Sequence, residues 1–500
     1  MTTTPSFDLD TVLFEFADKH GRSEWTIRQA VEQVCVFGAC GAGKTSSVGR
    51  ALALKYLSHG FSGLVLCAKA EEKALWQEYC RQTNRLDDLI VIEPGGKHRF
   101  NFLEYESSQR VGGISITQNI VQVLKTVIAS DAKNGAHKND DVFWENAQDM
   151  LLTNVISLCN LAYGKVFLRN LFDVISTAPK REQTTNDTGK PTSFEQAFTA
   201  AQKNVYAQIE RFEKGLSPAE RDRLKDEAAF ESAVLDALPD AALMKQVDQF
   251  FAETFRNLSE KTRSIIEFSF SGFLFRLLQE PVYSLFCKGT STVTPEDCLN
   301  GKIILLNLPV KHYHKAGRDC QVLFKYIWQR AMERRNVAEN NRVLFLYADE
   351  AQLFLHPYDA EYQATARSSR IITTYLSQNL PNYHANMGGD QSEYRVKSLL
   401  GTFGTKFFLA NADTHTNKYA SELIGSAYTE DHTHSVSMSG KFSSSRSKSY
   451  KLEQMVRPEE FAGLKTGGPL NNFEVECYMH CQGKPFASGL NFNKVKFKQI

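Results

Sequence analysis

No stretch of this 500-residue chain is apolar for long enough to cross a bilayer. The longest apolar runs, such as Ile303-Ile304-Leu305-Leu306 and Val343-Leu344-Phe345-Leu346, are strand-length, whereas a spanning helix takes about 20 residues. Met1 to Asp10 is polar and holds no apolar signal core. Net charge is missing too. Fifty-eight Lys+Arg against 57 Asp+Glu leave +1, so no global basic field announces nucleic acid, and any DNA contact has to rest on local positive charge, for example around a pore. The ten cysteines form no disulfide framework, and in a cytosolic chain most are buried free thiols. Cys477-Tyr478-Met479-His480-Cys481 could supply half of a zinc site, but no second half stands elsewhere, and two cysteines in a strand are the simpler account. What remains, 42% hydrophobic and 23% charged residues, is ordinary globular composition at a length that suits two or three domains.

One stretch is not ordinary. Gly38-Ala39-Cys40-Gly41-Ala42-Gly43-Lys44-Thr45, followed by Ser46, fits G-x-x-x-x-G-K-[ST]. Glycines let the backbone curl so that its N–H groups point inward and cradle phosphate oxygens. Lys44 brings an ammonium to the β- and γ-phosphates, and Thr45 offers a hydroxyl to Mg²⁺. A helix opening behind the loop adds its positive dipole end. The pattern arises by chance in roughly one in a hundred chains of this length, so its context matters. Val34-Cys35-Val36-Phe37 reads as a buried strand before it, and Val48, Leu52 and Tyr56 recur with helical spacing after it.

Strand and helix patterns alternate from there: Leu64–Cys67, a helix over 71–81, then Leu89–Ile92. This is the signature of a mainly parallel sheet covered by helices. Residues before about 30 read as a lead-in of a strand and a helix. The alternation stops near residue 105. To about 290 the pattern is helical, with helices expected near 143–158, 194–214, 218–238 and 241–256 and loops at Asp131–Asp140 and Thr177–Ser193. Its apolar residues read as its own core. The expected fold class is therefore α/β, a P-loop core over residues 1–105 and 291–500, interrupted by an all-α domain over 106–290.

Strands resume at Lys302–Pro309, and a helix is expected over 316–335. Val343-Leu344-Phe345-Leu346-Tyr347-Ala348 then ends in Asp349-Glu350, the Walker B arrangement. Such a strand delivers its acids to the sheet's C-terminal edge. Asp349 is expected to hold Mg²⁺ through water, and Glu350 to polarise the attacking water. Gln378 ends the next strand pattern, Ile371–Leu376; it either senses the γ-phosphate or begins a turn. Arg367 is either an arginine finger reaching a neighbouring subunit's nucleotide or a surface salt bridge. Residues 433–450 are Ser-rich, and Lys441, Arg446, Lys448 and Lys451 have no acid among them, which suits a hairpin or mobile loop touching phosphates, or a solvated flap. Asn472 to Gly489 has strand character and is expected to finish the sheet. No Leu-Ser-Gly-Gly-Gln-like signature precedes Asp349, against a transporter-type ATPase, and Asn417-Lys418-Tyr419-Ala420 lacks the Asp of a guanine reader.

The chain resembles the conjugative coupling ATPases of type IV secretion systems, the TraG/TraD type, in the FtsK/HerA superfamily. The resemblance rests on several segments in order: Gly38–Thr45; Asp140-Asp141-Val142-Phe143-Trp144; Gly301-Lys302-Ile303-Ile304 with Leu308-Pro309; Asp349-Glu350-Ala351-Gln352; Ala366-Arg367 with Gln378; Thr405-Lys406 with Glu422-Leu423-Ile424-Gly425; and Val456-Arg457-Pro458-Glu459-Glu460-Phe461. It implies a RecA-like motor working as a homo-oligomeric ring, a hexamer, that binds ATP and Mg²⁺ between subunits and passes DNA or a protein–DNA complex through a channel. It also implies a trans role for Arg367, a sensor role for Gln378, and an α-helical insert that recognises substrate or accessory proteins. Many relatives carry N-terminal membrane helices and this sequence shows none. The expectation is a cytoplasmic chain, peripheral to the inner membrane only through secretion or mobile-element partners. The competing reading is a soluble P-loop ATPase whose helical insert recruits a protein partner without moving DNA.

Overall fold

Uninterrupted apolar runs such as Val34–Phe37, Ile303–Leu306 and Leu344–Ala348 have no polar face to show to water, and each is buried along its whole length, as central strands covered on both faces must be. The computed structural model describes residues 7–108, 110–111, 114–115, 117–131, 141–179, 190–387, 392–438 and 442–499. In chain order its strands are β1 (Val12–Asp18), β2 (Gly21–Thr26), β3 (Val34–Phe37), β4 (Ser62–Leu66), β5 (Leu89–Ile92), β6 (Arg110–Val111), β7 (Ile114–Ser115), β8 (Ile303–Leu306), β9 (Leu344–Ala348), β10 (Ile371–Ser377), β11 (Thr405–Leu409), β12 (Ser426–Met438), β13 (Phe442–Gln454), β14 (Glu474–Cys481) and β15 (Phe492–Lys498).

The chain divides into two compact units. The first holds Met1–Val91, Pro295–His312 and Ile327–Ile500. It is built on a nine-stranded sheet in the order β15-β14-β11-β3-β10-β9-β4-β8-β5. From β11 to β8 every neighbouring pair is parallel, and β14 and β15 extend the β11 edge antiparallel. The α/β reading with a mainly parallel sheet holds. Two local expectations change. The lead-in is a β1–β2 hairpin followed by a four-residue helix, Ile27–Ala30, because Phe14 and Phe16 need the cover that Phe497 of β15 provides at ring separations of 5.9 and 6.1 Å. The tail supplies two strands, and β15 runs beyond the expected end at Gly489. Cys477 and Cys481 are buried in β14.

The second unit holds Ile92–Thr294 and Tyr313–Tyr326. Apart from the two-residue strands β6 and β7 its named elements are helical, including Asp141–Tyr163, Leu168–Ser176, Ser193–Gly215, Pro239–Gln249 and Glu260–Leu277. The helix expected over 218–238 is two, Pro218–Arg223 and Glu227–Ala237. Each starts at a side-chain cap, Ser217 or Asp226, that satisfies a free backbone N–H. Leu151, Val155 and Leu158 are fully buried, and Phe194 packs edge-on against Phe251 at 4.7 Å. The unit's two chain crossings are tied together. Phe100 N–H donates to Leu285 O, Thr292 N–H to Arg99 O, and Asn101 Nδ2 to Gly289 O, at 2.8, 2.9 and 2.8 Å. That pairing sets the unit's edges at 91/92 and 294/295, whereas sequence periodicity alone suggested 105/106 and 290/291. Tyr313–Tyr326 joins it because Phe324 packs on Phe100 at 4.8 Å and Arg276 pairs with Asp319 at 3.2 Å.

No single described helix is long and apolar enough to cross a membrane. Residues 132–140 of the expected loop at Asp131–Asp140 and most of the one at Thr177–Ser193 lie outside the described residues, as does Lys441.

Candidate nucleotide site

Four neighbouring parallel strands, β3, β10, β9 and β4, end at one edge of the sheet, and the chemistry-bearing residues follow their last positions. Phe37 is in register with Ser377, Tyr375 with Ala348, and Ala348 with Leu66. Gly38, Gln378, Asp349-Glu350 and Lys69 therefore emerge side by side. The loop after β3 is pinned on both flanks, with Gly38 N–H donating to Ser377 O at 3.3 Å and Ala39 N–H to Ala410 O at 2.9 Å. Gly41 and Gly43 take φ of +76° and +83°, the region where a side chain is strained. At Gly43 a Cβ would also stand 2.7 Å from Val475 Cγ2. Behind the loop Thr45–Gly49 forms a wide turn, Gly49 N–H donating to Lys44 O at 2.8 Å, and the helix Arg50–Ser58 follows.

Lys44 is buried, and its Nζ donates to Gly38 O at 2.8 Å and Ala39 O at 3.2 Å. Burial lowers its pKa from the ordinary lysine value, against the opposing pull of Asp349 and Glu350. Thr45 Oγ1 donates to Asp349 Oδ2 at 2.7 Å across 304 sequence positions. Glu350 adopts a left-handed backbone, φ 51° and ψ 45°, a strained state for a residue other than glycine and one that collects at functional sites. Its N–H donates to Asp349 Oδ1 at 2.9 Å.

The Glu350 carboxylate is held from three directions. Gln352 Nε2 donates to Oε2 at 2.9 Å, Gln378 Nε2 donates to Oε1 at 3.2 Å, and Lys69 Nζ lies 3.4 Å from Oε1. Burial would raise its pKa, but the bonds from Gln352 and Gln378 and the charges of Lys69 and Lys44 outweigh burial and hold it below the ordinary value. Lys69 is also 3.8 Å from Asp349 Oδ2. Burial opposes its charge, yet the two carboxylates keep its pKa above the ordinary lysine value. Glu72 behaves in the opposite way. Burial and the neighbouring Asp349 push it well above the usual carboxylate range. It lines a small recess together with Thr45, Trp76, Tyr79, Tyr347 and Asp349.

The structure thus brings together the Gly38–Ser46 loop, Asp349, Glu350 and Gln378. Arg367 is not among them. It precedes β10, at the opposite sheet edge, on the order of 20 Å away by strand length, and pairs with Glu32 at 2.9 Å with its side chain 62% exposed. Sequence reading missed Lys69, Glu72 and Gln499, and it named Gln352 only within the Asp349-Glu350-Ala351-Gln352 segment, with no role. Gln352 had a signal in its position two residues past Glu350. Gln499, whose Nε2 donates to Ser46 Oγ at 2.9 Å, had none. The hard oxygens of Thr45 and Asp349, meeting at one point beside Lys44, fit a magnesium–phosphate group.

Comparison with known proteins bears out the resemblance to the TraG/TraD-type coupling proteins. Residues 343–466 match the family model described as the TraM recognition site of TraD and TraG. No curated protein matches the sequence. Among solved structures the fold is similar to that of the bacterial conjugative coupling protein TrwB lacking its first 70 residues, in an unbound form, with a TM-score of 0.62 at 14% identity over 99% of this chain and 90% of that one. It is also similar to TrwB in complex with the non-hydrolysable ATP analogue ADPNP, at 0.59 and 14% over 99% and 91%, and with ADP and Mg²⁺, at 0.56 and 13% over 99% and 90%.

Proposed function

We propose that this chain is an ATP-hydrolysing motor of the conjugative coupling type. The observation that carries the reading is the 2.7 Å contact of Thr45 with Asp349, beside a Glu350 held ionised by Lys69, Gln352 and Gln378. In this reading the loop N–H groups and Lys44 bind the triphosphate and oppose the charge that develops during transfer. Thr45 and Asp349 hold Mg²⁺, which supplies charge neutralisation on the phosphate oxygens when bound. Glu350 orients the attacking water and takes up its proton, a task suited to a carboxylate that stays ionised. Gln378 joins Glu350 to the tip of β10, and so reports whether a γ-phosphate is in place.

The DNA-translocating reading follows from the family resemblance and from Arg367, which lies at the wrong edge to serve its own site and has the exposure to serve a neighbour's. A closed ring, a hexamer in the expected form, gives it that neighbour. Partner recognition is proposed for residues 343–466, the stretch matching the recognition-site family, with a relaxosome protein of the TraM kind as the partner. Such partners also supply any hold at the inner membrane.

The test is ATP turnover with and without single- and double-stranded DNA. Wild type is expected to turn over ATP and to respond to DNA. Lys44→Ala is expected to lose nucleotide binding. Glu350→Gln is expected to bind ATP and to lose turnover by at least about a hundredfold. Absence of turnover in wild type under every condition sinks the motor reading.

A further inference from the structure

The phosphate loop accounts for a triphosphate but leaves the nucleobase unheld, and the sequence carries no guanine-reading motif. A strap at the C-terminal end of the sheet lies where a base grip is needed. Thr466 bridges to Val475 of β14, and both reach the loop: a Cβ on Gly43 would stand 2.7 Å from Val475 Cγ2 and 3.5 Å from Thr466 O. Gln499 ties the strap to the loop's far end. Its Nε2 donates to Ser46 Oγ at 2.9 Å, and its Oε1 accepts from Gly468 N–H at 2.7 Å. Its own N–H donates to Phe473 O at 2.7 Å. These bonds tie the strap to the phosphate site.

Two features of the strap stand out. Leu470 is 100% exposed and Phe473 is 49% exposed, whereas Val475, Cys477 and Met479 of the adjoining β14 are buried. Asn472 and Phe473 also take successive left-handed conformations, φ 53° and 56°. For a bulky aromatic residue that is a strained state, kept only where the surroundings enforce it. That strain sits in a turn whose backbone is bonded to Gln499 and, through it, to Ser46 of the phosphate loop.

We propose that residues 466–473 are the nucleobase clamp of this site, with Phe473 stacking on the base and Leu470 covering its other side or edge. The proposal rests on the nucleotide reading given above. Stacking on an aromatic face tolerates any base, so the clamp takes purine nucleotides with little discrimination between adenine and guanine.

The experiment compares binding of ATP, GTP and inorganic tripolyphosphate, each with Mg²⁺, to the full chain and two variants. Leu470→Ala removes a wholly exposed side chain. Phe473→Gly removes the ring while suiting the left-handed backbone, so neither change threatens folding. Wild type is expected to bind ATP and GTP within a few-fold of each other, and both more tightly than tripolyphosphate. Phe473→Gly is expected to weaken ATP by at least about fivefold, the low end of base stacking, and to leave tripolyphosphate binding unchanged. Leu470→Ala is expected to shift the same ratio less. If wild type binds ATP and tripolyphosphate equally, or if both variants keep the wild-type ratio, the clamp is overturned and the phosphate site stands. If wild type binds neither ligand, the nucleotide site falls and the clamp with it.

Discussion

Lys69 stands three residues past β4 and sits between Glu350 and Asp349 at 3.4 and 3.8 Å. In the proposed mechanism it acts through Glu350, as a positioning residue. Losing its charge removes part of what holds the Glu350 pKa down. Lys69→Met is therefore expected to move the acid limb of the ATPase pH profile upward and to lower kcat more than it raises KM, with Lys69→Arg recovering part of both. An unmoved acid limb counts against the role. A second lysine tests burial alone. Lys406 of β11 is 3% exposed and donates to Phe403 O. Burial takes its pKa from 10.5 down to about 8, with nearby Cys35 opposing the shift. Between those values the unfolded chain binds more protons than the folded one, so stability rises with pH there and the cost is fully present below about 8. Lys406→Met is expected to stabilise the first unit at pH 7 by up to about 3 kcal/mol, with the gain fading by pH 10.5. Urea denaturation at pH 7 and pH 10 checks both magnitude and sign.

At the scale of elements, close strand contact sets the hardest constraint. Gly63 lies in β4 beside β9, and a Cβ there would fall 1.9 Å from the Phe345 carbonyl oxygen. Backbone cannot retreat as a side-chain tip can. Gly63→Ala is expected to cost more than about 3 kcal/mol, the upper range of ordinary overpacking, and to leave little soluble protein. Gly215→Ala meets nothing within 4 Å and is expected to be neutral or slightly stabilising, so melting temperatures of the pair separate a packing cause from a generic glycine effect. The Ser-rich stretch is an element-scale result too. It forms the β12–β13 ribbon, thirteen residues in each strand. The basic run that looked free of acids is answered across the ribbon: Lys448 meets Glu430 and Lys451 meets Asp431, both at 2.7 Å. Antiparallel pairing supplied acids that lie about 20 positions away.

For the molecule as a whole, the decisive fact is polarity of the sheet. The residues proposed for the nucleotide site sit at the strands' C-terminal edge, and Arg367 at the N-terminal edge. If Arg367 serves a neighbouring copy, Arg367→Ala is expected to bind nucleotide normally and to lose turnover. Mixing it with Glu350→Gln subunits is then expected to restore measurable ATPase, because some interfaces pair an intact Glu350 with an intact Arg367. Failure of the mixture to exceed either parent argues for the plain ion pair with Glu32.

The linear order of residues determined the α/β class, the phosphate loop, the acidic strand end and the helical character of the middle third. Each of these is a local property, carried by periodicity or by spacing within about ten positions. Tertiary structure decided the rest. Strand order put β4 next to β9, and with it brought Lys69 to Glu350. Antiparallel return of β14 and β15 laid Gln499 on Ser46 and tied the turn at Gly468 to the phosphate loop. Pairing of residues 99–101 with 285–292 set the edges of the helical unit. None of these could be read along the chain, because which strands become neighbours is settled by burial summed over the whole sheet and leaves no mark in any short window of sequence.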